Sequence, residues 1–209
     1  MNSKKIHEDQ EVLTAGTNFE EADKAVILLH GRGATAQSII QLQTQLEVEK
    51  TAFFAPQATN KTWYPQSFLQ NRENNQPHLK SALNTLNQLI QKITEQLPRE
   101  KIAIAGFSQG ACLATEYTAT HTHKYGGIIA FSGGLIGKTL PNYQGNLKQT
   151  PVFIGCSEND PHIPLKRINE TENIFRELNG KVEKYIFEGS HHGIVDHEIK
   201  KAKQIIKNT

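Results

Sequence analysis

The sequence predicts an α/β fold: a mostly parallel sheet of about six or seven strands with helices on both faces and no large cap domain. Three observations predict it. Four short apolar runs, at 25–29 (AVILL), 102–105 (IAIA), 128–131 (IIAF) and 151–154 (PVFI), are each bounded by turn residues. None alternates apolar with polar, which is the pattern of strands covered on both faces in a parallel sheet. Helical stripes lie between them, so strand and helix patterns follow one another in turn. That order calls for crossover connections between parallel strands.

Each element has its own justification. Residues 11–19 suit an antiparallel edge strand. The run at 25–29 is the first central strand, and 38–46 suits a helix. A weaker strand candidate follows at 51–55 (TAFFA). Residues 57–77, QATNKTWYPQSFLQNRENNQP, fit neither period and hold the only tryptophan. Loops this long are commonly functional or disordered. Two readings stay open: a solvated excursion pinned by aromatics, or the wall of a binding pocket with Trp63, Tyr64 and Phe68 as lining.

Leu79, Leu83, Leu86, Ile90, Ile93 and Leu97 then recur every three or four residues, and Pro98 stops that helix. After the strand at 102–105 comes a helix over 109–120. The strands at 128–131 and 151–154 follow. Leu165, Ile168, Phe175 and Leu178 mark the next helix, closed by Asn179-Gly180 as a left-handed cap. The segment 183–187 alternates and reads as a strand. Val195, Ile199, Ala202 and Ile206 stripe a last helix.

A chain of 209 residues suits one domain, 1–209. Hydrophobic residues at 37% and charged residues at 21% are ordinary for a globular protein. The net charge of +2, with no basic block or stripe, gives no footprint for nucleic acid. Cys112 and Cys156 fit neither a CxxC pair nor a metal-ligand spacing, and read as free thiols in a reducing compartment. No apolar stretch reaches the 18 or so residues a membrane helix needs, and no apolar core follows the first lysines. The expected location is cytoplasmic.

One stretch breaks the local rules. GFSQG at 106–110 sets Ser108 between glycines at the end of a buried-type strand. A tight strand-to-helix turn can hold a serine hydroxyl above the C-terminal edge of a sheet, and flanking glycines make that turn possible. Serine needs a base to be nucleophilic, and the base needs a carboxylate to fix its tautomer. Folds that present serine this way place the acid and then the histidine later in the chain.

Of the four aspartates, Asp9 and Asp23 precede Ser108, and Asp196 falls in the last helix. Asp160 remains, in a loop just after the strand at 151–154, with Glu158 as the alternative in the same loop. His191 and His192 follow the last strand, and adjacent side chains diverge, so only one can be the base. Paired histidines could instead bind metal, as could His121 and His123, but no third ligand stands at a suitable spacing. An oxyanion hole needs backbone N–H donors. Gln109, after the nucleophile, supplies one. Arg32, in the HGRG loop after the first central strand, supplies the other through its backbone, and His30 braces that loop.

LHGRG at 29–33, GFSQG at 106–110, DPHIP at 160–164 and HGI at 192–194 together resemble the phospholipase/carboxylesterase family of small α/β-hydrolases. That family includes bacterial carboxylesterases and acyl-protein thioesterases. The resemblance covers about 24–206. It implies an α/β-hydrolase fold with Ser108 as nucleophile, Asp160 as acid and His192 as base. It also implies the amides of Arg32 and Gln109 as oxyanion hole, with no metal and no organic cofactor. In the family a glycine usually precedes the histidine, where His191 stands here. The H-x-I spacing selects His192. Arg32 stands where the eukaryotic thioesterases carry an apolar residue, so the chain looks more like a bacterial HGRG branch.

The implied function is a serine carboxylesterase acting on small ester or thioester substrates, as a monomer or homodimer. The alternative is a lysophospholipase or acyl-protein thioesterase preferring long chains. A more distant one is a ligand-binding protein of the same fold without catalysis.

Overall fold

The computed structural model describes residues 5–209. Its strands are β1 (Val12–Gly16), β2 (Lys24–Leu29), β3 (Thr51–Pro56), β4 (Ile102–Phe107), β5 (Gly127–Phe131), β6 (Pro151–Ser157) and β7 (Lys181–Phe187). They form one sheet in the order β1-β3-β2-β4-β5-β6-β7. β1 runs antiparallel to β3, as the sequence suggests for an edge strand, and every other pair is parallel.

The helices are α1 (Ala36–Ile39), α2 (His78–Thr94), α3 (Gln109–Thr120), α4 (Leu165–Glu177) and α5 (Asp196–Asn208). α2, α3 and α4 cover one face of the sheet, against Ile27, Leu29, Ile104, Ile128 and Ile154. α1 and α5 cover the other, against Val26, Leu28, Phe53, Phe131 and Phe153. Residues 26–29 therefore feed the two cores alternately, which is why this strand carries no polar position.

The strand order positions the site. From β2 the chain steps outward to β3, then returns to lay β4 on the other side of β2. The connections after β2 and β4 leave on opposite faces, α1 on one and α3 on the other. The C-terminal ends of β2 and β4 thus flank a crevice, where open α/β sheets bind their ligands.

One expectation needs adjustment. The helix at 38–46 starts earlier and is shorter. Thr35 caps it by accepting from the Ser38 N–H (3.2 Å), and its own N–H donates to Ser38 Oγ (3.1 Å). After Ile39 the chain tightens into a 3₁₀ turn, Ile40–Thr44, because Gln41, Gln43 and Thr44 offer no further apolar turn to bury. At α4 the expected left-handed cap at Asn179-Gly180 is present, with Asn179 as the left-handed residue (φ 61°). The Gly180 N–H reaches back to the Phe175 carbonyl (2.8 Å), and the Asn179 N–H to that of Arg176 (2.9 Å).

Candidate active site

Ser108 sits between β4 and α3 with φ 53° and ψ −116°, a conformation that costs an L-residue energy and persists only where its surroundings enforce it. The enforcement is visible at both glycines of GFSQG. A methyl on Gly106 would collide with the Gly110 carbonyl, and one on Gly110 with the Leu29 carbonyl. The turn is therefore folded tightly on itself and α3 starts against the end of β2. The Ser108 N–H donates to the Phe131 carbonyl (2.9 Å), which ties the turn to β5.

Asp160 lies three residues beyond β6, and His192 lies in the loop between β7 and α5. The register pairs Ser157 with Phe187, so both loops leave the same edge of the sheet as the serine turn. His192 Nδ1 lies 2.8 Å from Asp160 Oδ2, and its Nε2 lies 2.9 Å from Ser108 Oγ. Nδ1 carries the proton that faces the carboxylate, so Nε2 offers its lone pair to the Ser108 hydroxyl. The Asp160 side chain is fully buried, while His192 keeps 18% of its side chain exposed.

Burial pushes the Asp160 carboxyl up, but the bonds from His192 and from the backbone N–H groups of His162 (2.8 Å) and Ile163 (3.0 Å) outweigh it and hold it below its usual value. His191 is exposed, and Glu158 is exposed with its backbone bonded to Phe187. Neither side chain joins this line.

The HGRG loop reaches the serine directly. A Cβ on Gly31 would lie 3.5 Å from that of Ser108. The backbone N–H groups of Arg32 and Gln109 have no backbone acceptor among the described residues, and both residues line the cavity above Ser108. His30 is fully buried and braces the loop: Nδ1 donates to the Gly31 carbonyl (2.8 Å) and Nε2 accepts the Ala58 N–H (3.1 Å). Burial pushes its pKa down, which keeps the ring neutral for that pattern.

The cavity measures about 510 Å³. Tyr64 and Phe68 line it, with Pro65, Gln66, Phe107 and His162. Within segment 57–77, residues 64–68 form a wall of the cavity, while much of the remainder faces solvent. Trp63 does not line the cavity. It is fully buried behind the wall, where its indole N–H donates to the His30 carbonyl (3.0 Å). Its large ring and single donor suit a post between two loops better than a surface open to substrate.

Some contacts escape sequence reasoning. The Cys156 thiol lies 3.7 Å from Asp160 Oδ2, and burial pushes its pKa up to about 12, so it remains a donor. His162 packs edge-on against His192, with centroids 4.7 Å apart. The position of Cys156, four residues before Asp160, was the one available signal.

A family model described as phospholipase/carboxylesterase matches residues 14–209. The chain belongs to the phospholipase/carboxylesterase family. The crystal structure of a phospholipase/carboxylesterase from Dyadobacter fermentans is 45% identical, with a TM-score of 0.92, covering 98% of this chain and 99% of that one. The Bacillus cereus carboxylesterase shares the fold at a TM-score of 0.76 and 17% identity, covering 96% and 95%.

Among curated relatives, acyl-protein thioesterase 1 of Candida albicans is 29% identical over 91% of this chain and 94% of its own. That of Kluyveromyces lactis is 38% identical over 46% of this chain. Matches to the Kluyveromyces lactis and Saccharomyces cerevisiae thioesterases span about half their length, 44% and 59%. Membership in this phospholipase/carboxylesterase family agrees with the resemblance carried by the four motifs, and the α/β-hydrolase fold agrees with the sheet order.

Proposed function

We propose that the chain is a serine carboxylesterase cleaving carboxylic esters or thioesters through an acyl-enzyme. One observation carries the reading: Ser108, His192 and Asp160 stand in one hydrogen-bonded line beside the Arg32 and Gln109 N–H groups. Ser108 Oγ attacks the acyl carbon as His192 Nε2 takes its proton. The substrate oxygen, now an anion, accepts from the Arg32 and Gln109 N–H groups. Each such donor is worth roughly 10²–10³ in rate. His192 then protonates the departing alkoxide or thiolate, leaving the acyl group on Ser108. Water, deprotonated by His192, attacks that ester, and Ser108 leaves with its proton restored. Asp160 holds the imidazole in the working tautomer and stabilises its positive charge.

Ester and thioester substrates both suit this hydroxyl. The thioesterase names of the yeast relatives favour including thioesters in the substrate panel. The proposal extends to a single-domain enzyme of the cytoplasm acting on small molecules as a monomer or homodimer. Both cysteines are buried and unpaired, which suits a reducing compartment.

The test is a fluorophosphonate probe followed by peptide mass spectrometry. A label on Ser108, together with ester hydrolysis lost in Ser108→Ala, supports the enzyme. Folded wild-type protein that takes no label and hydrolyses no ester would sink it in favour of a ligand-binding role.

A further inference from the structure

The two residues proposed to donate to the oxyanion share a second feature, which attack on an ester does not require. The Arg32 guanidinium donates to three consecutive backbone carbonyls: Tyr64 (2.9 Å) and Gln66 (2.7 Å) from Nη2, and Pro65 (2.9 Å) from Nη1. No carboxylate lies within ion-pair distance of it among the described residues. From the other side the Gln109 carboxamide grips the same strip. Its Oε1 accepts the Trp63 N–H (2.9 Å) and its Nε2 donates to the Tyr64 carbonyl (2.9 Å). The Tyr64 carbonyl thus accepts from both residues.

This arrangement has a physical reason. These three carbonyls have no sheet neighbour along this irregular path; that of Tyr64 is part-buried and needs a donor, and Arg32 replaces water at the exposed carbonyls of Pro65 and Gln66. A guanidinium is a planar fork of N–H groups at fixed angles and can serve all three at once, whereas an ammonium is a point charge on a flexible stem. The strip Tyr64–Pro65–Gln66 is thus held by Arg32 and Gln109, with Asn75 Oδ1 accepting the Gln66 N–H (2.8 Å). The same strip lines the cavity. Anything that presses on this wall pulls on the two side chains whose own backbones carry the free N–H groups.

We propose that the guanidinium of Arg32 and the carboxamide of Gln109 are positioning groups that make the oxyanion hole and the pocket wall one mechanical unit, so that acyl-group fit against Tyr64–Gln66 sets the geometry of the hole. The inference rests on the esterase reading. It makes both side chains determinants of specificity, acting through rate rather than binding. Donor alignment matters only once the oxygen is charged, so loosening it lowers kcat before it raises KM.

The test uses Arg32→Ala, Arg32→Lys and Gln109→Glu, all of which keep the backbone N–H. Gln109→Glu sets a carboxylate oxygen against the Tyr64 carbonyl at unchanged size. Rates are read on 4-nitrophenyl esters of graded acyl length, with thermal melting as a control for folding. Arg32→Ala and Gln109→Glu are expected to lose about tenfold or more in kcat, with KM within about threefold, and to flatten the dependence on acyl length. Ethylguanidinium is expected to restore part of the kcat of Arg32→Ala, and ethylammonium to restore little.

Three results would overturn the inference: kcat within about twofold of wild type in both variants, a loss confined to KM, or equal rescue by both cations. If Arg32→Ala does not fold, Arg32→Lys and Gln109→Glu decide on the same criteria. A wild type that neither hydrolyses esters nor labels at Ser108 defeats the esterase reading instead. An active wild type with indifferent variants defeats only the coupling.

Discussion

Asp160 accepts from His192 Nδ1 and the Cys156 thiol at Oδ2, and from two backbone N–H groups at Oδ1. A carboxylate so fully engaged stays ionised and fixed, which is what the imidazole beside it needs. Asp160→Asn keeps the shape but removes the charge, and its amide can present an N–H to Nδ1, favouring the wrong tautomer. It is expected to lower kcat by about 10⁴, with KM little changed in steady-state assays. His192→Ala is expected to lose a similar factor, while His191→Ala stays within about threefold of wild type, because only His192 touches both Ser108 and Asp160. The reverse order would make His191 the base. At this scale the sequence was most legible where chemistry demands a residue type at a strand end. Ser108 and Asp160 were readable as candidates from order and spacing, whereas order and spacing left His191 and His192 both open and only the family resemblance favoured His192. The thiol beside Asp160 and the side-chain bonds of Gln109 were not readable, since they depend on the path of loops that carry no period.

Elements were readable wherever a helix or strand buries one face, and less so where the chain is irregular. β2 to β7 lie where apolar runs or alternation predict them, and β1 falls within the edge strand expected at 11–19. Segment 57–77 reads in sequence as long, polar and aromatic, either a solvated excursion or a pocket wall, because its order comes from distant partners. Besides the Arg32 and Gln109 grips, the Gly137 N–H donates to the Phe68 carbonyl (2.7 Å) and the Lys138 N–H to that of Gln70 (2.9 Å). Trp63 is the post on which this wall stands. Trp63→Phe keeps most of the apolar volume but strands the His30 carbonyl without its donor. It is expected to cost about 2 kcal/mol in urea denaturation and to speed limited proteolysis within 57–77. Unchanged stability and cleavage would show that the indole N–H does not anchor the wall. A different kind of contact joins α3 to β2. Gly110→Ala drives a methyl into the Leu29 carbonyl, a backbone atom that cannot move aside, and should destabilise by about 3 kcal/mol by the same measurement.

For the molecule as a whole, one contribution to the pH response comes from Glu198 at the start of α5. Its side chain is buried, Oε2 accepts the Val195 N–H (2.8 Å), and Oε1 has no partner among the described residues. Burial pushes its carboxyl up to about 7, with the Val195 N–H pulling weakly the other way. The unfolded chain releases this proton near 4.5 and the folded protein only near 7. The folded state therefore binds more protons in that window, and the contribution of Glu198 to stability falls as pH rises through it, by roughly 3 kcal/mol in all. Glu198→Gln removes the titration. Its stability relative to wild type is expected to rise by that amount between about pH 4.5 and pH 8, read from urea midpoints across pH. A constant difference would mean the carboxyl is ionised throughout. Asp160 works in the opposite sense: its folded value is depressed, so its contribution is present above the unfolded value and is lost on acidification.

The hydrogen-bonded line at the site joins parts of the chain that are far apart in synthesis. Ser108 and His192 are separated by 84 residues, and the imidazole lies in the loop that follows β7, the last strand in sequence. The serine turn is tied to β5 through the Phe131 carbonyl, whereas the proposed base lies beyond β7. On the proposed mechanism the chain would be chemically silent until its last parallel strand is in place, and ester hydrolysis would report completion. In refolding experiments, turnover should lag the burial of Trp63, whose contacts to His30 and Gln109 all lie in the first half of the sequence or just beyond it.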